Sequence, residues 1–118
     1  MRTLVVVVTL FLVLLGTAAA RAHAFLDHAS PLVGSTVAVA PQEVSLSFTQ
    51  NLEAAFSGVE VSDAAGARVD QGKPQIGGNT MRVTLKPLSP GTYRVRWHVL
   101  SVDTHKTEGS FVFHVGKP

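Results

Sequence analysis

The chain has 118 residues, of which ten are Lys or Arg, eight are Asp or Glu and none is Cys. This length fits one domain, and the absence of cysteine excludes disulfides, thiolate zinc sites, iron–sulfur clusters and blue-copper centres. The formal net charge of +2 would favour an acidic partner such as nucleic acid only if the basic residues belong to the folded domain.

The first 22 residues have the pattern of a secretory signal peptide. Met1–Thr3 carries a positive charge, Leu4–Leu15 is apolar apart from one Thr, and Gly16–Ala22 consists mostly of small residues. The alternative is a transmembrane anchor, but such an apolar run spans only about 18 Å as a helix, less than the roughly 30 Å of a bilayer core. We therefore expect residues 1–22 to direct export, to the periplasm or the wider cell envelope, and residues 23–118 to form the domain.

The cleavage site determines the first residue of the mature protein. The small-x-small pattern permits cleavage after Ala20, Ala22 or Ala24, and cleavage after Ala22 leaves His23 at the amino terminus. That cleavage also removes two arginines, so the mature domain has eight basic and eight acidic residues. Because binding to phosphates needs clustered Lys and Arg, we predict no nucleic-acid partner.

The mature chain alternates apolar and polar residues over short runs, which predicts half-buried antiparallel strands. Gly and Pro residues, among them Gly72 and Gly109, are interpreted as breaks between strands, and Leu52–Phe56 is helix-like but too short to be stable alone. About seven short strands predict an all-β protein, a small Greek-key β-sandwich with Trp97 and several Phe residues in its core. The runs are Val44–Phe48, Val59–Val61, Met81–Leu85, Tyr93–Val99 and Phe111–Val115.

Histidines are the strongest functional signal in this cysteine-free domain, which has five of them. His98 and His114 are expected to point outward from strands into solvent, and His28 has either a structural or solvated role or an outer role beside a metal. His23 differs because cleavage can free its α-amine, which together with ring Nδ1 closes a chelate ring on a metal. Amines and imidazoles, with ordinary pKa values of about 7.7–8.0 and 6.5, both lose a proton near neutrality.

Asp103 and His105 form a second candidate pair. In an extended segment residues i and i+2 project to the same side, so their carboxylate and imidazole could face one point. The pair follows the long Tyr93–Val99 strand, which predicts a loop held by a rigid scaffold. With His23 the donors are three nitrogens and one oxygen, a set that favours Cu(II) and that Zn(II) also accepts.

Several segments of the mature chain together carry a family resemblance. They are His23–Leu26, Ser30-Pro31, Pro41, Leu46–Val61 and Leu88–Val115, the last containing a Ser-x-Asp-x-His pattern at residues 101–105. Across nearly all of residues 23–118 the sequence resembles the CopC family of periplasmic copper-binding proteins.

The resemblance implies a cupredoxin-like, immunoglobulin-like Greek-key sandwich that binds one Cu(II) per chain. The implied ligands are the amine and imidazole of His23, together with Asp103 and His105. Cleavage after Ala22 is then selected, because the alternatives would block or remove the first ligand. The implied role is copper storage, buffering or delivery without catalysis. A separate CopD-like inner-membrane copper transporter is an implied partner, and we expect a monomer.

Two features depart from patterns found within the family. Some members carry a Met-rich loop that binds Cu(I), whereas Ser62–Pro74 has no Met and the whole chain has only Met1 and Met81. We therefore expect no Cu(I) site, since Cu(I) prefers sulfur ligands. Gln50 stands where some members have Glu, so it can hydrogen-bond a ligand or water but supplies no charge there.

Two other functions stay open at this point. A copper centre built on a terminal histidine also resembles that of copper-dependent polysaccharide oxygenases, which would make the protein an oxidative enzyme. Against this, the single Trp and single Tyr are both predicted to be buried, leaving no aromatic surface to grip a polymer. The remaining alternative is a metal-free extracellular β-sandwich that binds another protein.

Overall fold

The computed structural model describes residues 24–116. The expected signal peptide, its cleavage site and the candidate ligand His23 lie outside the described residues. Within the described range, no helix is both long enough and apolar enough to cross a membrane.

Two four-stranded sheets enclose one hydrophobic core in the described part of the chain. The first sheet has the order β1-β3-β6-β5 and the second has the order β2-β8-β7-β4. The strands are β1 (Leu26–Ser30), β2 (Thr36–Val37), β3 (Glu43–Phe48), β4 (Gly58–Asp63), β5 (Asp70–Gly77), β6 (Thr80–Leu85), β7 (Gly91–Leu100) and β8 (Lys106–Val115).

The strand connections confirm the predicted Greek-key sandwich. Strand β3 pairs with β6 and β4 pairs with β7, so neighbours within each sheet are not consecutive along the chain. The five predicted runs lie in strands that pair antiparallel with β1, β5 or one another. The two residues of β2, which were not predicted as a strand, run parallel to β8. Strands β7 and β8 form a long antiparallel ladder from Gly91↔Val115 to Leu100↔Lys106. The turn at the Leu100 end of this ladder carries the candidate site.

The alternation read from the sequence matches the burial of side chains. In β7 the side chains of Tyr93, Val95 and Val99 are buried, whereas Arg94, Arg96 and His98 are exposed. All five predicted runs lie within strands of the structure, because a half-buried sheet needs one apolar face. The fully buried side chains of Phe48 and Phe113 lie in the core as expected.

Three strands were missed from the sequence, namely β1, β2 and β5. Strand β5 contains Gly72, which was interpreted as a break, together with Pro74. The register shifts between Gln71 and Gln75, and Gly72 adopts a φ of 75° there. A bulge in an edge strand thus accommodates residues that would end a regular strand.

Gly109 was also interpreted as a break, but it lies inside β8 opposite Trp97. A Cβ at this position would come within 2.5 Å of Cζ2 of Trp97, so the absence of a side chain makes room for the indole ring. Trp97 is half-buried rather than buried, and its ring meets Phe48 edge to face with centroids 5.1 Å apart. The helix-like run around residue 54 forms a 3-10 helix at Ala54–Phe56.

Candidate metal centre

Asp103 and His105 lie in the turn that joins β7 to β8, at one end of the sandwich. Nδ1 of His105 is 3.4 Å from Oδ1 of Asp103, and the two side chains are 44% and 37% exposed. A carboxylate and an imidazole are therefore side by side and partly exposed, although Nδ1 of His105 itself is buried. Both are accepted ligands of Cu(II) and Zn(II).

The two side chains meet for a different reason than the sequence argument gave. The expectation of an extended segment at residues 103–105 is wrong, because the chain forms a tight turn there. The N–H of Thr104 donates to the carbonyl of Ser101 at 2.9 Å, and Thr104 adopts a φ of 70°. The N–H of Ser101 donates to the carbonyl of His105 at 3.0 Å. These bonds fold the turn back so that the side chains flanking Thr104 come together.

Ser101 organises this turn from inside the protein. Its side chain is fully buried, and its hydroxyl donates a hydrogen bond to Oδ1 of Asp103. The N–H of His105 also donates to the same hydroxyl at 3.3 Å. Ser101 belongs to the Ser-x-Asp-x-His pattern, but no role was predicted for it. Its spacing of two and four residues from Asp103 and His105 was the available signal.

The pKa of Asp103 lies below the ordinary value for an aspartate. The hydrogen bond from the Ser101 hydroxyl is the main cause, and the hydrogen bond and positive potential of the neighbouring imidazole of His105 add to it. The carboxylate is consequently ionised at neutral pH, which is the form that binds metal ions.

The first described residues of the chain lie beside the start of β8. Ala24 is fully buried, and its carbonyl accepts a 2.7 Å hydrogen bond from Oγ1 of Thr107. The next N–H, that of Phe25, donates to Oγ1 of Thr49 at 2.9 Å. Thr107 is two residues from His105, so the tertiary structure brings the amino-terminal segment to the strand that begins at the candidate site.

Within residues 24–116, no group of three or more His, Asp or Glu side chains could hold a metal ion together. Asp103 and His105 supply one carboxylate and one imidazole, both of which copper accepts. The described residues therefore fit part of a copper site. His23 directly precedes Ala24 in the sequence but lies outside the described residues.

The other three histidines lie elsewhere in the fold. His28 is exposed on β1 in register with Ser47, and His98 is exposed on β7. His114 lies near the far end of β8, where its Nδ1 is 2.8 Å from Oγ1 of Thr92. The expectation that His98 and His114 point away from the core is confirmed, although His114 is half-buried.

Two residues that bear on metal preference are also placed. Met81 is fully buried in β6, inside the core, so its thioether is not available to a surface metal. Gln50 is half-buried and directly follows Thr49, the residue that holds Phe25.

Comparison with known proteins decides the family. The model of the CopC domain matches residues 26–116. This chain belongs to the CopC family. It is 36% identical over 123 residues to copper resistance protein C of Xanthomonas campestris pv. juglandis, covering 97% of this chain and 96% of that protein.

Solved structures agree with this assignment. CopC of Methylosinus trichosporium OB3b superimposes with a TM-score of 0.71 at 33% identity, covering 80% of this chain and 95% of that one. PcoC of Escherichia coli, described as a methionine-rich copper resistance protein, gives the same TM-score and identity and covers 80% and 99%. The resemblance inferred from sequence is confirmed, and the Xanthomonas and Escherichia coli relatives are named as copper resistance proteins.

Proposed function

We propose that the protein is an exported Cu(II)-binding protein that stores, buffers or delivers copper in the periplasm and catalyses no reaction. One Cu(II) would be bound by the α-amine and imidazole of His23, by the carboxylate of Asp103 and by the imidazole of His105. Family membership supports copper as the metal, since the matched relatives are named for copper resistance.

One observation supports the proposed set of ligands. The 2.7 Å hydrogen bond from Thr107 to the carbonyl of Ala24 joins positions 83 residues apart, next to the 3.4 Å contact between Asp103 and His105. Thr107, which holds the carbonyl of Ala24, is two residues from His105 in the sequence. This link between the start of the described chain and the candidate site supports the proposal that His23 is a ligand.

The chemistry of the donors supports Cu(II) over the alternatives. Three nitrogens and one carboxylate oxygen suit a tetragonal Cu(II) ion, which also has the highest affinity among divalent first-row metals. Cu(I) prefers thioether or thiolate ligands, and of the described residues the one methionine, Met81, is buried. Zn(II) accepts the same donors but prefers a tetrahedral arrangement.

Delivery of copper requires a partner that accepts it. A separate CopD-like copper transporter of the inner membrane fits the family, and the partially exposed Asp103 and His105 would let such an acceptor reach the ion. We propose that the protein itself acts as a monomer.

The experiment begins with expression of the full chain in a Gram-negative bacterium and measurement of the intact mass of the exported protein. The mass is expected to correspond to cleavage after Ala22. Titration with Cu(II) is then followed by the fluorescence of Trp97, the single tryptophan, and by electron paramagnetic resonance. We expect one equivalent of copper to bind and the spectrum to show coupling to nitrogen.

A matched control separates the amine from the imidazole of His23. A chain that keeps Ala22 before His23 retains the imidazole but converts the amine to an amide, and we expect its Cu(II) affinity to fall by about 100-fold or more, because a chelating donor is lost. Unchanged affinity or an unchanged spectrum in this chain or in His23→Ala would contradict the proposed site. Zn(II) is titrated in parallel, and tighter binding of Zn(II) than of Cu(II) would overturn the choice of metal.

A further inference from the structure

Apart from Tyr93, Ser101 is the only polar residue that is buried within residues 24–116. A buried hydroxyl has to find its hydrogen-bond partners inside the protein, because water does not reach it. The hydroxyl of Ser101 finds them in the turn that follows it. It contacts Oδ1 of Asp103, and it lies 3.3 Å from the main-chain nitrogen of His105 and 3.2 Å from the carbonyl oxygen of the same residue. One buried hydroxyl thus joins the two residues that carry the candidate copper donors.

The main chain of the turn is held by hydrogen bonds that do not use this hydroxyl. The N–H of Ser101 donates to the carbonyl of His105 at 3.0 Å, and the N–H of Val102 donates to the carbonyl of Asn51 at 3.0 Å. Loss of the hydroxyl would therefore leave the backbone of the turn closed and tied to the neighbouring loop. The group that it would release is the carboxylate of Asp103.

The single proton of the hydroxyl goes to the carboxylate. The carbonyl of His105 already accepts the N–H of Ser101, and a neutral carbonyl is a weaker acceptor than an ionised carboxylate. The hydroxyl therefore donates to Oδ1 of Asp103, and its oxygen accepts the N–H of His105. Nδ1 of His105 faces the same Oδ1 at 3.4 Å. Since both neighbouring side chains contact Oδ1, the oxygen that remains for a cation is Oδ2.

We propose that Ser101 is a positioning residue, which holds Asp103 by Oδ1 and so presents Oδ2 to the copper ion. This inference rests on the proposed function only in taking Asp103 as a ligand, and it does not depend on where His23 lies. The advantage is preorganisation, because a carboxylate that is already held in its bound orientation loses less conformational freedom when the metal binds. Ligating carboxylates are commonly held by such hydrogen bonds from a second residue.

The main test compares the Cu(II) affinity of Ser101→Ala with that of the parent protein by competitive titration. We expect the affinity to fall about tenfold, as for loss of an outer partner of a metal ligand. Ser57→Ala is the matched control, because the hydroxyl of Ser57 donates to the carbonyl of Glu53 at 2.9 Å and accepts the N–H of Leu100 at 3.1 Å. It removes a hydroxyl with similar main-chain partners next to the same turn, and it should leave the copper affinity unchanged. Parent-like affinity of Ser101→Ala, or an equal loss in Ser57→Ala, would overturn the proposal.

A double variant distinguishes positioning of Asp103 from simple stabilisation of the turn. In Asp103→Ala the carboxylate is already absent, so adding Ser101→Ala should weaken copper binding further by less than about twofold, because the two residues act as one unit. A further loss as large as in the parent would mean that Ser101 acts on the turn alone, and this result would overturn the proposal. Asp103→Ala by itself should lower the affinity more than Ser101→Ala does, because it removes a ligand. Parent-like affinity of Asp103→Ala would instead refute the proposed function, so the two failures are distinguishable.

A measurement on the copper-free parent protein keeps the proposal testable even if Ser101→Ala does not fold. Side-chain coupling constants from nuclear magnetic resonance report whether Asp103 occupies one χ1 rotamer or several. We expect one rotamer in the parent and averaging over several in Ser101→Ala, although Asp103 is partly exposed in both. Averaging over several rotamers in the copper-free parent would show that the carboxylate is not held before the metal binds, and it would overturn the proposal.

Discussion

Asp70 and Asp103 both have carboxyl pKa values below the ordinary value, but they lie in different regions and have different partners. Asp70 forms a bidentate pair with Arg68, with N–O distances of 2.7 and 2.6 Å, and also accepts the N–H of Val61 at 2.9 Å. Its side chain is only 7% exposed. The hydrogen bond from Arg68 is the main cause of its lowered pKa.

Asp103 is held by neutral or weakly basic partners instead. Its carboxylate meets the hydroxyl of Ser101 and the imidazole of His105, and its side chain is 37% exposed. A guanidinium that neutralises a carboxylate also occupies the oxygens that a metal would need. At Asp70 the carboxylate is buried in an ion pair that stabilises the edge of the sandwich. At Asp103 the carboxylate is ionised, held by the Ser101 hydroxyl and still partly exposed to solvent.

Acidification is expected to have the largest effect on copper binding. From pH 7 to pH 5 the apparent Cu(II) affinity should fall by more than about 1,000-fold, because protons compete with the metal for amine and imidazole nitrogens, which in model peptides titrate near 7.7–8.0 and 6.5. Asp103 is not the group responsible, since its lowered pKa keeps it ionised at pH 5.

The fold should survive this acidification. Because the folded-state pKa of Asp70 is lowered, its stabilising contribution is complete above the unfolded value of about 3.9 and is lost only as the pH falls through the folded value. Trp97 fluorescence measures the copper bound, and circular dichroism measures the fold in the same samples. Loss of structure between pH 7 and pH 5 would contradict the prediction that the fold, including the Asp70–Arg68 pair, survives while copper binding is lost.

His105→Ala should lower the Cu(II) affinity by about 100-fold or more while changing the stability of the copper-free protein little. The reason is that a metal ligand is removed, a greater loss than the roughly 10–100-fold seen for outer partners, whereas the imidazole is half-exposed. His114→Ala, near the far end of β8, is the control and should bind copper normally. Competitive titration and thermal unfolding measure the two quantities. An unchanged Cu(II) affinity of His105→Ala would contradict the proposal that the turn at residues 101–105 contributes a copper ligand.

Asp70→Asn should have the smallest effect on copper, less than about twofold, but should lower the free energy of unfolding by about 1–3 kcal/mol. The amide cannot accept both hydrogen bonds of Arg68 and leaves the guanidinium with only its ion pair to Glu60. Glu43→Gln makes the same change of charge on an exposed residue of β3 and should be nearly neutral. Chemical denaturation of the copper-free protein gives the stability, and a loss confined to copper affinity would contradict the structural role of Asp70.

The hydrophobic pattern predicted the long strands and the sandwich because alternation directly records which face of a strand is buried. It did not predict β5, since Gly72 and Pro74 normally end strands and only the bulge opposite β6 accommodates them. The pattern also predicted a break at Gly109, which instead lies inside β8. The need for glycine there comes from the Trp97 ring in the neighbouring strand, which no local pattern reveals.

The sequence by itself determined the cysteine-free composition and the residue types available as ligands. It also identified the D-x-H pair, but through an extended geometry that the protein does not adopt. Only the tertiary structure decided how Asp103 and His105 meet, through a turn closed on the buried Ser101. It also brought Ala24 to Thr107 across 83 positions, because hydrogen bonds between distant segments depend on how the two sheets pack.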